Sequence, residues 1–332
     1  MENKKLLRTF VNLLSKTTLT NLLLRSLNID TVFLNYHRVI SDKDFKKKNR
    51  PSDDLIVSES VFEKQIIFLT KNFNVISIND VHKNFNLKKK IVVTFDDGYL
   101  DNYEIAFPIL KKYNCPAIIY IATSFLDNID YPWWLNIWKI IKQNEFIIFN
   151  EKKIDISNKN LKIKSYNFFC RKLFLLKKSE QVIFFNKLRY DIKKSIKNKK
   201  IFLLNENLIK LSKNNLVEIG CHSHHHQNLK ILNKKELNKD IAQSKRILEK
   251  ITRKKIFHFS IPFGTKVSFT EKTIRLLKKF NFKTIVTTNH GNFNKNELLK
   301  IPRIGVGNND LGDTLYSKAM GFDSFLNKIF RR

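Results

Sequence analysis

Acidic residues are few in this chain: 30 Asp and Glu stand against 62 Lys and Arg, a net charge of +32 over 332 residues. That imbalance suits an anionic partner such as phospholipid, phosphorylated glycan or nucleic acid. It equally suits compositional drift, because the lysines are scattered through every segment and the chain is crowded with Lys, Asn, Ile and Phe. Nothing supports nucleic acid, since no RNP, zinc-finger or basic-zipper pattern is present. Cysteine is scarce too. Cys115, Cys170 and Cys221 are odd in number and carry no C-x-x-C spacing, which argues against a disulfide scaffold and fits a reducing compartment. Gly, Pro and Ala are sparse, and no internal repeat of fixed period occurs.

Residues 1–29 read as an amphipathic segment. Lys4 and Lys5 precede Leu6, Leu7, Phe10, Val11, Leu13 and Leu14, while Arg8, Lys16 and Arg25 break the apolar run. No small-x-small cleavage site follows, and the run is too broken to span a bilayer. It suits either a helix on a membrane surface or one packed on the domain's own flank. A second apolar face, Phe322, Phe325, Leu326, Ile329 and Phe330, recurs in a C-terminal helical segment, 311–332. The expected location is therefore cytoplasmic, peripheral on the inner face of the membrane.

Between these ends, short apolar runs alternate with longer amphipathic stretches, the signature of α/β with parallel strands. Candidate strands are Thr31–Tyr36, Ile91–Phe95, Ala117–Ala122, Val217–Cys221, Ile256–Ile261, Lys283–Thr287 and Ile301–Val306. Helices are expected from a capping box at Ser60-Val61-Phe62-Glu63, from Asp101 to Tyr113, from Asn233 and from Thr270. The fold class expected for residues 30–310 is a distorted, incomplete (β/α) barrel of about seven parallel strands. Residues 127–211 break the alternation and read as a mostly helical insertion over the strand ends. Within it, Pro132-Trp133-Trp134 offers aromatic faces for a pyranose ring, or else core for the insertion itself.

The chemistry sits at strand ends. The run Ile91-Val92-Val93-Thr94-Phe95 stops at Asp96-Asp97-Gly98, and Leu216–Cys221 stops at His222-Ser223-His224-His225-His226. Polar groups at the C-terminal ends of barrel strands are where such folds hold their active sites. One carboxylate and two imidazoles, Asp97, His222 and His226, make the open ligand set of a catalytic divalent metal, Zn2+ before others. Asp96 is placed to act as a base, and His37, closing the first strand, is the best remaining acid. A two-His-one-carboxylate set also suits non-haem iron, although those sites favour β-sandwich scaffolds.

These segments carry a resemblance. Thr94-Phe95-Asp96-Asp97-Gly98 resembles the first motif of polysaccharide deacetylases of the NodB-homology type, carbohydrate esterase family four. His222-Ser223 through His226 resembles the second motif, and Ser260-Ile261-Pro262-Phe263-Gly264 the third. Ile301-Pro302-Arg303-Ile304 resembles a segment frequent in relatives from surface-glycan gene clusters. Leu34-Asn35-Tyr36-His37-Arg38-Val39 resembles the opening of the circularly permuted branch. The resemblance implies Asp96 as general base, His37 as catalytic acid, and Asp97, His222 and His226 as ligands of zinc or a similar ion. Supporting or substrate-binding positions are Tyr99, Trp133, Trp134, Pro262, Phe263 and Arg303. One departure stands out: the family's third motif carries an Arg two residues before its Pro, and here that position is Ser260. Arg303 is the expected replacement beside Asp96.

The function so implied is removal of an N-acetyl group from an amino sugar in bacterial surface-polysaccharide biosynthesis, on an N-acylated glycan, free or lipid-linked, with no nucleic acid involved. The alternatives are a deformylase of a lipid-linked formamido sugar and a catalytically decayed glycan-binding relative.

Overall fold

The computed structural model describes residues 31–322, except 48–49, 52, 84–88, 189–199, 290, 292 and 294–296. The amphipathic segment 1–29 and the apolar positions from Phe325 onward lie outside the described residues. Among those described, no helix is long and apolar enough to cross a membrane.

The described residues form twelve strands, in chain order β1 (Thr31–Tyr36), β2 (Arg38–Ile40), β3 (Ile56–Ser58), β4 (Asn74–Val75), β5 (Lys90–Phe95), β6 (Ala117–Ile121), β7 (Phe146–Phe149), β8 (Lys152–Asp155), β9 (Val217–Cys221), β10 (His258–Ser260), β11 (Thr284–Val286) and β12 (Ile304–Gly305). Eight of them form one parallel sheet, in the order β11-β10-β9-β6-β5-β1-β12, with β4 added alongside β5. β1 covers one whole edge of β5, while β4 takes Lys90 and Ile91 and β6 takes Val93 to Phe95. At the far side, β12 pairs with β1, and Ile301 bridges back to Val286 of β11. The sheet thus curls round into a distorted, incomplete (β/α) barrel. β1, β5 and β6 are buried at every position, as β-branched and aromatic runs covered on both faces must be.

The local signals place most barrel helices. Asn233 caps the Lys234–Thr252 helix through a reciprocal pair with Glu236, and Thr270 caps Glu271–Lys279. The Ser60 box is corrected. The helix begins at Glu59 with Ser58 in the cap position, and the Ser60 hydroxyl instead donates to Asp42 at 2.7 Å. The helix expected from Asp101 starts as one wide turn, Asn102–Ala106, before the regular helix Phe107–Lys112.

The insertion has its own apolar core, with Ile137, Ile141, Phe169, Leu173 and Phe185 at its centre. Its helices among the described residues are Trp133–Gln143, Lys159–Phe174, Lys178–Lys187 and Asn205–Ser212. It also contains the antiparallel hairpin β7–β8, an element that the expectation of a mostly helical insertion does not name. The turn residues Asn150 and Glu151 sit at φ 48° and 65°, the left-handed pair that closes a tight hairpin.

Candidate active site

The strand ends converge. β5 ends at Phe95, so Asp96 and Asp97 lie beyond the pleat that would point neighbouring side chains apart. Asp97 adopts φ 75° and Gly98 φ 77°, and this left-handed pair folds the chain back so that both carboxylates face one site. A Cβ on Gly98 would lie 3.0 Å from the Ile121 side chain. The second half of the site hangs from β9. Ser223 and His226 are also left-handed, at φ 64° and 49°, which coils the loop and turns His222 and His226 onto the same side.

The geometry suits a metal ion. A tetrahedral ion with ligands at about 2.0–2.1 Å holds them roughly 3.3 Å apart. The Nε2 atoms of His222 and His226 are 3.1 Å apart, and Asp97 Oδ1 lies 3.4 Å from the first and 3.2 Å from the second. Asp97 Oδ1 is buried without a hydrogen-bond partner, as a ligand oxygen would be. His222 Nδ1 lies 2.8 Å from the Ser260 carbonyl. A carbonyl only accepts, so Nδ1 carries the proton and Nε2 directs its lone pair into the site. Burial opposes charge on Asp97, yet the imidazoles of His226 and His222 outweigh it and hold the carboxyl well below the usual range. Burial likewise opposes protonation of His222, but Asp96 and Asp97 raise its pKa.

Asp96 is gripped by Arg303. Nη1 donates to Oδ1 at 2.8 Å and Nη2 to Oδ2 at 2.6 Å, a bidentate fork. The same guanidinium donates to Asn35, Thr94, Ser260 and the Thr287 carbonyl, so four strands or strand ends hold it in plane. Ser260 therefore meets Arg303 where the family motif would place its own arginine. Burial works against ionising Asp96, and Arg303 with His222 overcomes it to bring the pKa to about 2. His37 Nε2 stands 4.0 Å from Asp96 Oδ2. Its side chain is 15% exposed, the most open of the group. Burial lowers the His37 pKa, while Asp97 and Asp96 pull it back up.

The remaining expected positions divide. Trp134 meets His226 edge to face at 4.9 Å between centroids, and Phe263 meets it at 4.8 Å, so both wall the site. Tyr99 is buried, accepts from Trp134 Nε1 at 3.4 Å and stacks on Phe202. Trp133 is corrected as a sugar platform: it is 9% exposed and packs in the core of the insertion against Phe263. Pro262 is buried and serves the turn that leads to Phe263, whose φ is 63°.

Two acidic residues that the sequence reading passes over hold the site's backbone. Asp240, on the Lys234–Thr252 helix, accepts the N–H groups of His224 at 2.8 Å and His225 at 3.0 Å. Asp101 accepts from Val39 N–H at 3.2 Å and from Arg38 Nε at 2.8 Å, and its neighbour Asn102 donates to the His37 carbonyl at 2.8 Å. Their only signal in the sequence is position: Asp101 lies four residues past the Asp97 turn, and Asp240 lies almost two turns into a capped helix after the histidine loop.

Comparison with known proteins points the same way. A family model described as polysaccharide deacetylase matches residues 83–158 and 159–285. YxkH of Bacillus subtilis (strain 168), named among the polysaccharide deacetylases, is 53% identical over 34 residues, which is 10% of this chain and only 12% of that protein. Among solved structures, the Streptococcus pyogenes deacetylase PplD, determined with acetate, superposes with a TM-score of 0.58 at 18% identity, over 87% of this chain and 97% of that one. A de-N-acetylase from Aggregatibacter actinomycetemcomitans gives a TM-score of 0.57 at 18% identity, over 87% and 99% of the two chains. At such identities these structures show a shared fold.

Proposed function

Because the chain belongs to the polysaccharide deacetylase family, a family of amide hydrolases, we propose that it removes N-acetyl groups from an amino sugar of a bacterial surface polysaccharide. One observation carries this reading: a three-atom divalent-metal set stands beside a buried carboxylate that Arg303 keeps ionised. A divalent ion held by Asp97, His222 and His226, Zn2+ being the best match to the donors, supplies when bound a Lewis acid for the carbonyl and lowers the pKa of water to about 7.

The chain's own residues supply the rest. Hydrolysis adds water oxygen to the acetyl carbon, breaks the C–N bond, and leaves acetate and a free amine. Asp96 Oδ2, 4.0 Å from His222 Nε2, is within reach of a water at the metal set and takes its proton. The Arg303 fork leaves Asp96 little freedom to rotate, so its lone pair is already directed. His37, on the more open side, is the imidazole positioned to protonate the departing nitrogen. Trp134 and Phe263 cover His226 with apolar surface and keep bulk water from it.

The test is acetate release. Metal-loaded protein should liberate acetate from N-acetylglucosamine oligomers, and a chelator should stop it. Absence of acetate release from every N-acetylated glycan tried, with metal bound at one ion per chain, would overturn the assignment.

A further inference from the structure

The insertion differs from the barrel in what it shows to solvent. Of eleven exposed large hydrophobic side chains among the described residues, eight lie in 127–211, and the other three are Leu55, Val267 and Leu311. Several belong to one helix and to the hairpin packed beside it. On the Lys159–Phe174 helix, Ser165, Phe169 and Leu173 face the insertion core. Lys164, Phe168, Arg171, Lys172 and, just past its end, Leu175 recur at helical spacing on an exposed face. Next to it, Phe146 and Ile148 of β7 alternate outward while Ile147 points in. Phe149, on the inward face of β7 with Ile147, lies 6.5 Å from Phe168 between centroids, which packs the hairpin beside the helix.

Charge accompanies the apolar groups. The Lys159–Phe174 helix has five basic residues and no acidic one. Lys172 lies over the Phe168 ring at 5.0 Å and Lys153 over Phe146 at 4.4 Å. Glu145, Glu151 and Asp155 flank the hairpin, so the positive field comes from the helix. Long basic side chains beside exposed Phe, Ile and Leu let stems and rings enter an interface while the cations remain among headgroups. A hydrated acidic glycan would reward the lysines but leave Leu175 and Ile148, 63% and 59% exposed, without a partner.

We propose that this face, the outer side of the Lys159–Phe174 helix with Phe146 and Ile148, docks the protein on an anionic phospholipid surface. The same module reaches the metal set. Tyr166 of this helix meets Trp138 at 5.7 Å, and Trp134, one turn earlier on the Trp133–Gln143 helix, meets His226. Docking therefore orients the site relative to the membrane through two packed helices.

The experiment is co-sedimentation of the full chain with vesicles of phosphatidylcholine alone or mixed with phosphatidylglycerol. Wild type should pellet with the mixed vesicles, less so at high salt. Phe168→Ser with Leu175→Ser, and separately Lys164→Glu with Lys172→Glu, should each raise the lipid needed for half-binding roughly tenfold or more, having lost interfacial apolar area or charge. Thermal unfolding and acetate release from soluble oligomers should be unchanged. Wild-type sedimentation by both double variants would move docking elsewhere and overturn the proposal. Wild type that stays in the supernatant, or that binds a soluble acidic polysaccharide and not vesicles, would overturn it as well. Sedimentation does not depend on catalysis, so a failed deacetylase assay leaves this result readable.

Discussion

Arg303 and Asp96 meet through two parallel hydrogen bonds of 2.8 and 2.6 Å across 207 residues of sequence, with the guanidinium side chain fully buried. Removing one partner of such a pair leaves an unpaired buried charge, a change of about 3–5 kcal/mol. Arg303→Met should lower stability by that order in a denaturant titration. Activity that remains should have its acidic limb displaced to higher pH, because Asp96 works as the ionised base and loses the group that keeps it ionised. An unmoved limb would show that Arg303 does not govern Asp96 in the working enzyme.

Asp96→Asn keeps the size of the carboxylate, leaves the Arg303 fork one acceptor oxygen in place of two, and removes the base. Turnover should fall about 10²–10⁴-fold, while metal content stays at the wild-type level by elemental analysis. Wild-type turnover in this variant would transfer the role of base to another group.

His226→Ala should remove metal. Wild-type protein dialysed against a divalent ion should retain one per chain and unfold at a higher temperature than the chelated form, by linkage. The variant should show neither the ion nor the shift.

Asp240→Asn replaces one of the two oxygens that hold the His224 and His225 N–H groups. The ligand loop has two left-handed residues, and losing its anchor should weaken metal affinity about 10–100-fold. Competition with a chromogenic chelator measures this. Unchanged affinity would make Asp240 a helix-packing residue only.

His258 offers a pH test away from the metal. Burial lowers its pKa to about 3. Nδ1 is 2.8 Å from the Thr284 hydroxyl and Nε2 is 3.0 Å from Asn79 Oδ1, partners that a neutral ring satisfies. The unfolded chain takes up this proton near the ordinary pKa of about 6.5 and the folded one does not. The contribution is thus complete above that value and is lost as pH falls toward 3, with a slope of about 1.4 kcal/mol per pH unit. His258→Gln should flatten the slope between these limits in chemical unfolding, and an identical slope would locate acid sensitivity elsewhere.

The barrel strands and the reactive groups at their ends were legible from sequence because both signals are local. A five- or six-residue apolar run is buried wherever it pairs, and Asp-Asp-Gly or a histidine cluster marks the place where it stops. Helix caps at Asn233 and Thr270 are local for the same reason. The hairpin β7–β8 was not legible, because Phe146–Phe149 is short and its alternation is set by the helices it packs on. Trp133 and Trp134 are adjacent in sequence yet part ways, one into the insertion core and one onto His226, since successive helical residues point about 100° apart and only packing chooses which faces the site. The resemblance made Arg303, at the end of a late strand, a candidate for the place beside Asp96 once Ser260 stood where the family motif carries an arginine. What carried its guanidinium there was sheet order, which sets β12 against β1 and β1 against β5. Strand order is a property of long-range pairing, and no window of sequence contains it.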